Sequence, residues 1–476
     1  MDNRCTIVSA ISSIALLSTA TGVEAKSTKD SKRPNVIIVL LDDLGSSDVS
    51  FNGCVDIQTP NIDKIAKEGV KCTDAYISAP YSGPSRCGLM TGRYQQRFGA
   101  EANAYGNQQG IDEKQGVLES EVLLSRVLKD NGYNTCAIGK WHLGDHPDLW
   151  PNKRGFDYFY GFSGGGHSFW GGTTKDPSGF VQENGRKLEK GETYYLTDDF
   201  SDKAVEYIDK NATSDAPFFM YLAYNAPHAP LQAPQKYLDR TKHIYNAERS
   251  VYAAMILAVD DGIGRIWNAL EKYDIDDNTM IFFLSDNGGV GDPGRAHNLP
   301  CRSYKGNMFN GGIHTPFAFY WKGKIKPGSE YHKTISSLDI FPTIATAAGV
   351  DVSKNKNPLD GTDLMPYLKG KNKKAPHDFL CWRVCGGLEY AVRKGDYKLV
   401  KTHYQDAHQL FNVMKDPIEK DDVAADNQDL VKEMLADYQS WNNQMMKPRW
   451  VEDHEKHQRM DYNAWSDFRK RASGGK

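Results

Sequence analysis

The 476-residue chain has few cysteines, almost no net charge and a single long apolar run, and each scarcity removes a class of protein. Eight cysteines are too few for a disulfide-built scaffold. Setting Cys5 aside leaves an odd number, so at least one thiol has no partner. Cys381 and Cys385 are close enough to pair or to share a metal, yet a lone Cys-x-x-x-Cys is weak support for zinc. With 58 Lys+Arg against 61 Asp+Glu, the formal charge is −3, which argues against nucleic acid as the main partner. There is no internal repeat and no low-complexity tract, and 39% hydrophobic with 25% charged residues is an ordinary globular balance.

The one apolar run, Ile7 to Leu17, follows Arg4 and precedes Val23-Glu24-Ala25, which offers small residues at the positions a signal peptidase reads. It is too short to span a bilayer comfortably, so residues 1–25 are expected to be a signal peptide. Cys5 lies on the wrong side of the run for a lipoprotein-type cleavage. The mature protein is therefore expected to be exported, periplasmic or secreted, with no membrane span.

Three apolar stretches of strand length follow: Val36 to Leu41, Pro217 to Ala223 and Met280 to Leu284. Each is continuous rather than alternating, the pattern of a strand buried on both faces of a parallel sheet. Each also ends in polar residues, at Asp42-Asp43, Asn225-Ala226-Pro227-His228 and Ser285-Asp286-Asn287, as strands do at the ligand-binding carboxyl edge of an α/β sheet. Helical patterns at 62–69, 122–132 and 247–272 lie between them, and Gly69 and Gly132 close the first two. The fold class expected is α/β, a large doubly wound, mostly parallel sheet flanked by helices over residues 34–375. From about Pro376 the pattern changes to a hairpin around Lys394-Gly395-Asp396, a helix near 430–445 and a charged tail after Trp450, which predicts a small α+β domain with an antiparallel sheet over 376–476.

Asp42, Asp43, Asp286 and Asn287 offer oxygen ligands only, if their two strands are neighbours. Three carboxylates and an amide suit a hard divalent cation, Ca²⁺ first and Mg²⁺ second. Either pair alone serves equally well as a helix cap.

The string Ser82-Gly83-Pro84-Ser85-Arg86-Cys87-Gly88-Leu89-Met90-Thr91-Gly92-Arg93 resembles the signature of the type I sulfatases of the alkaline phosphatase superfamily: Cys or Ser, any residue, Pro, Ser, Arg, two residues, Leu, any residue, Thr-Gly-Arg. The resemblance extends to Pro34-Asn35 with Asp42-Asp43, Thr59-Pro60-Asn61-Ile62-Asp63, Gly139-Lys140-Trp141-His142-Leu143-Gly144, Arg154-Gly155-Phe156-Asp157, Ala226-Pro227-His228, Ser285-Asp286-Asn287-Gly288 and Asp416-Pro417-Ile418-Glu419. It implies that Ser82, not Cys87, is oxidised to Cα-formylglycine (3-oxoalanine) by a maturase that accepts serine. It further implies one cation, held by Asp42, Asp43, Ser82, Asp286 and Asn287, and catalytic roles for Arg86, Lys140, His142, His228 and Lys305. Sulfate transfer gathers negative charge on peripheral oxygens and on the departing alkoxide, so fixed positive charges are the appropriate catalyst. By the resemblance Arg86 fixes the nucleophile, Asp286 takes its proton, His228 and Lys305 hold sulfate and protonate the leaving oxygen, and His142 deprotonates the remaining hydroxyl so that sulfate is expelled. Two departures stand close to Lys305, with Asn310 and His314 where the family pattern has Glu and Arg.

For substrate, the Gly164 to Gly172 segment carries His167 and Trp170, an aromatic face with polar neighbours that suits a sugar ring, and His314 joins them as a candidate substrate contact. The function expected is hydrolysis of sulfate from a sulfated poly- or oligosaccharide. A phosphomono- or diesterase of the same superfamily, a non-catalytic sulfoglycan-binding protein with Ser82 unoxidised, and a serine that replaces a natural cysteine stay open.

Overall fold

The computed structural model describes Met1 and residues 33–104, 114–171, 179–291, 295–403 and 407–450. Apart from Met1, the signal-peptide expectation falls outside these residues, as does the tail after Trp450.

Five parallel strands form the centre of a ten-stranded sheet, in the spatial order Thr279–Ser285, Asn35–Leu41, Phe218–Ala223, Asn134–Lys140 and Tyr158–Phe162. Phe317–Tyr320 adds antiparallel beside Thr279–Ser285, and Val70–Cys72 and Ser329–Tyr331 complete that edge. Two short strands, Gln182–Glu183 and Arg186–Lys187, close the other edge.

The continuous apolar runs have a direct consequence. Val36, Ile38 and Leu40 face one core with Met280, Phe282 and Leu284, whereas Ile37, Val39 and Leu41 face a second core with Ile281 and Phe283. Helices Pro60–Lys67, Leu196–Asn211 and Ala247–Lys272 cover the second face, and Ser82–Thr91, Leu124–Asp130 and Ile340–Ala347 cover the first. Each fully buried Ile, Leu or Phe contributes about 1.5–3 kcal/mol relative to exposure, so a sheet with two apolar faces must carry helices on both.

A four-stranded antiparallel sheet, Leu380–Val384, Glu389–Lys394, Tyr397–Lys401 and Gln409–Asn412, follows. Trp382, Ala391, Val400 and Phe411 join the first core, while Cys381, Val392, Leu399 and Leu410 pack beneath the Gln428–Asn442 helix. Trp382 donates its indole N–H to the Ile77 carbonyl at 2.7 Å. Among the described residues no two cysteines are joined by a disulfide, so Cys381 and Cys385 do not bridge each other.

Candidate active site

Register brings the polar strand ends together. Leu41 pairs with Ser285, Leu40 with Ala223 and Gly139 with Ala223, so Asp42, Asp286, Asn225 and Trp141 leave the sheet at one edge. Asp42 N–H donates to Ala226 O at 3.1 Å and Asp286 N–H to Leu41 O at 3.0 Å, fixing both carboxylates at the rim. Asp43 then turns with a left-handed φ of 62°, a conformation that aspartate tolerates better than most side chains.

Ser82 opens the Ser82–Thr91 helix, all ten residues of which are buried, and Gly92 ends it at φ 64°. Its hydroxyl lies 3.1 Å from Asp42 Oδ1 and 3.0 Å from Asn287 Oδ1. One turn on, Arg86 donates through Nε to Asp286 Oδ2 at 2.9 Å, and its Nη2 is 2.8 Å from the same oxygen and 3.7 Å from Asp42 Oδ1. Lys140 Nζ reaches Asp42 Oδ2 at 2.6 Å, and Lys305 Nζ reaches Asp43 Oδ1 at 2.7 Å. His228 gives Nδ1 to Ala229 O at 2.6 Å and turns Nε2 toward Asp43 Oδ2 at 3.6 Å. Asn287 Nδ2 donates to Asp43 Oδ1 at 2.7 Å, and Asp43 N–H lies 3.3 Å from Asp286 Oδ1.

Three carboxylates thus meet three basic side chains. Burial alone would push Asp42 up, but Lys140, His228 and Arg86 outweigh it and hold the group below the usual aspartate value. Asp43 is likewise raised by burial and lowered further by Lys305 and His228, with a net downward shift. Burial depresses Lys140, and Asp42 only partly restores it. Lys305 is depressed by burial but raised overall by Asp43, Asp42 and Asp286. Burial lowers His142 well below the ordinary histidine value, and the charges of Lys140, Arg86 and Lys305 add to the effect. Its imidazole is therefore neutral at neutral pH, and neither ring nitrogen has a hydrogen-bond partner among the described residues. A group held neutral with a free lone pair in a closed pocket is suited to accept a proton.

Asp42, Asp43 and His228 each turn a ligand atom to one point, all within 4.8 Å of one another. The oxygens of Asp286 and Asn287 adjoin that cluster through the contacts above. The donor set fits a divalent cation, with one difference from the oxygen-only expectation: an imidazole nitrogen faces the same space. A bound divalent ion would turn the balance of three negative and three positive groups into net positive charge, which complements a sulfate ester.

The segment after Phe162 crosses the site at its glycines. A Cβ on Gly165 would lie 2.7 Å from His142 Nε2, so only glycine permits this approach, and Gly166 passes His228. His167 and Trp170 sit further along: His167 is buried with Nδ1 2.7 Å from Ser168 O, and Trp170 packs on Tyr194 and Tyr195. His314 places Nε2 3.1 Å from Thr73 O and its ring edge-on to Tyr76. Trp170 and His314 thus rest on aromatic rings of their own surroundings, Tyr194 and Tyr195 for the first and Tyr76 for the second.

Several supporting residues have no sequence motif. Asn103 Oδ1 accepts the Gly83 N–H at 2.8 Å. Tyr252 OH donates to Asp48 Oδ2 at 2.7 Å and lies 3.2 Å from Asp43 O, while Arg249 clamps Asp48 at 2.6 Å and Asp56 at 2.8 Å. Of these, only Arg249 gives a clue, as an arginine at the start of an otherwise apolar helical face.

The family model described as Sulfatase matches residues 34–350, and that described as N-sulphoglucosamine sulphohydrolase, C-terminal, matches 303–444. The chain is 32% identical to the uncharacterized sulfatase YdeN of Escherichia coli K12, over 84% of each chain. It is 33% identical to N-acetylgalactosamine-6-sulfatase of Mus musculus, over 77% of this chain and 71% of that protein. The solved structure of Ps i-CgsB with k-i-k-neocarrahexaose shares 37% identity at a TM-score of 0.84, covering 93% of this chain and 99% of that one.

Proposed function

Because the chain belongs to the sulfatase family and is a sulfuric ester hydrolase, we propose that it removes sulfate from a sulfated carbohydrate, with Ser82 converted to Cα-formylglycine as its nucleophile. The observation that carries this reading is the position of Ser82 Oγ, 3.1 Å from Asp42 and 3.0 Å from Asn287, inside a ring of cationic side chains. Once oxidised and hydrated, position 82 supplies an attacking hydroxyl and a second hydroxyl whose deprotonation releases sulfate. An ordinary serine sulfate has no such second hydroxyl.

Asp42, Asp43, Asp286 and Asn287 would hold one divalent cation, Ca²⁺ before Mg²⁺, whose positive charge neutralises ester oxygens. Arg86, fixed by Asp286, orients the nucleophile, and Asp286 accepts its proton. Lys140 and Lys305 add fixed positive charge where the peripheral oxygens gather negative charge. His228 with Lys305 grips sulfate, and His228 gives the leaving oxygen its proton. His142, neutral and close to the helix start, takes the proton of the remaining hydroxyl.

One relative is named N-acetylgalactosamine-6-sulfatase and one solved structure holds k-i-k-neocarrahexaose, which supports a sulfated N-acetylgalactosamine unit or a sulfated neocarra-oligosaccharide as substrate. His167, Trp170 and His314 are proposed to act at the sugar side. Export through a signal peptide and a maturase that accepts serine belong to the same reading. The test is sulfate release from neocarra-oligosaccharides and 6-sulfated N-acetylgalactosamine, alongside mass spectrometry of the 82–86 peptide. Two hydrogens lost from Ser82 together with sulfate release are expected. Full activity with Ser82 unaltered, or no release after conversion with Ca²⁺ supplied, would overturn it.

A further inference from the structure

The loop that delivers Lys305 is fastened by a second ion pair far along the chain. Lys398 and Glu419, both side chains 0% exposed, meet at 2.9 Å. Lys398 comes from the Tyr397–Lys401 strand and Glu419 from the turn after Asp416-Pro417, so both belong to the C-terminal sheet region. The other Glu419 carboxylate oxygen accepts the Asn310 N–H at 2.6 Å, and Lys398 Nζ also donates to Asn310 Oδ1 at 2.8 Å. The Glu419 backbone carbonyl accepts from Arg302 Nη1 at 2.7 Å. Arg302 in turn lies 3.9 Å from the Phe309 ring centroid and takes the Gly311 N–H on its carbonyl at 2.7 Å. Both ends of the 302–311 stretch are therefore tied to Glu419.

Lys305 sits between the two ties. Its N–H donates to Gly289 O at 3.1 Å, and the next residue, Gly306, donates to Pro80 O at 3.0 Å, two residues before Ser82. The carboxylate absent at position 310 is supplied from Glu419 through space. A buried ion pair is seldom the most stabilising filling for its volume, and a hydrophobic pair of similar size often does as well. Here the pair makes directional bonds to the loop, which an apolar filling could not.

We propose that Lys398 and Glu419 are positioning residues for sulfate binding: by fixing both ends of the 302–311 stretch they hold the Lys305 ammonium at the mouth of the Asp43 cluster. The proposal rests on the reading of Lys305 as a sulfate-holding group. Through this pair the C-terminal sheet shares in substrate affinity without touching substrate.

The experiment uses the full matured chain, its preferred sulfated sugar from the panel above, and inorganic sulfate as a competing product. Glu419→Gln is expected to raise KM and weaken sulfate inhibition about tenfold each while kcat moves less than about threefold. Calcium should still raise its melting temperature. Arg302→Ala, at an exposed position, should shift both constants in the same direction and guards against a Glu419 variant that fails to fold. In a Lys305→Ala background the Glu419→Gln effect on KM should vanish, because residues acting as one unit are not additive. Unchanged KM in both variants, or a Glu419 effect that persists in full without Lys305, would overturn the proposal while leaving the sulfatase reading intact. If Lys305→Ala alone left KM and sulfate inhibition untouched, the role of Lys305 and the proposal would both fall.

Discussion

Arg249→Met tests how the Asp43 turn is supported. Arg249 is 3% exposed and pairs with Asp48, 0% exposed, at 2.6 Å, and with the more open Asp56 at 2.8 Å. Removing one partner of a buried pair costs about 3–5 kcal/mol, because the other charge stays buried. Asp48 keeps the Tyr252 hydroxyl at 2.7 Å and the His297 N–H at 3.0 Å, which places the expected loss near the lower end. At about 2.1 cal/mol/K of unfolding entropy per residue, a chain of 476 residues has roughly 1 kcal/mol/K, so the melting temperature should fall by about 3 °C. The sign with pH follows from Asp48, which burial already raises against the pull of Arg249. Without Arg249 its pKa rises further, so the native state takes up a proton more readily than the unfolded chain as pH falls. The deficit should be largest near pH 8, shrink toward pH 5, and be smaller in Arg249→Met/Asp48→Asn than in Arg249→Met. Calorimetry at both pH values, with Ca²⁺ titration of each variant, measures these effects. A loss under about 1 kcal/mol, or one that is the same at both pH values and in the double variant, would refute the assignment of the cost to an unpaired Asp48.

Asp286→Ala should abolish cation binding and turnover together, and chelation of the wild type should lower its melting temperature; calorimetric titration with Ca²⁺ checks both, and His228→Ala should still fold. The His377–Asp339 pair, 2.8 Å apart, gives a pH signature of its own. Burial lowers His377, but Asp339 outweighs it and raises the imidazole above its usual value. Its stabilisation is present in full below the unfolded histidine value of about 6.5 and is lost as pH climbs through the raised one. Urea unfolding of wild type against His377→Gln should therefore show a gap that closes with rising pH.

The strands that carry the site are readable in sequence because they are buried on both faces. The runs beginning at Val36, Pro217 and Met280 correspond to Asn35–Leu41, Phe218–Ala223 and Thr279–Ser285, and the 247–272 helix has the same bounds in both. The helix expected over 62–69 is Pro60–Lys67, since Pro60 starts it and its final turn ends before Gly69; that over 122–132 is Leu124–Asp130, with Gly132 in the left-handed turn beyond. Asn134–Lys140 is not legible as a strand, because Asn134, Thr135 and Gly139 break the apolar pattern, although it places Lys140. Edge strands such as Val70–Cys72 are too short for any period to register. Within the site, Asp42, Asp43, Ser82, Asp286 and Asn287 are legible because each stands in a motif at a strand or helix end. Asn103, Tyr252 and Lys398 are not, and the signals at Arg249 and Glu419 do not tell which residue each meets, since these contacts span 20 to more than 200 positions and leave no local spacing to read.

Ser82 is only 1% exposed, at the start of a helix whose every residue is enclosed. Its immediate neighbours include Asn287, 205 positions later, which a growing or threading polypeptide delivers late. Under the proposed conversion of Ser82, a maturase would have to reach the residue while the chain is still open, so chemical editing and collapse would run as a race. On that proposal a molecule that closed first would be sealed with an idle alcohol in its pocket, and no later encounter with the editing enzyme would revive it short of unfolding.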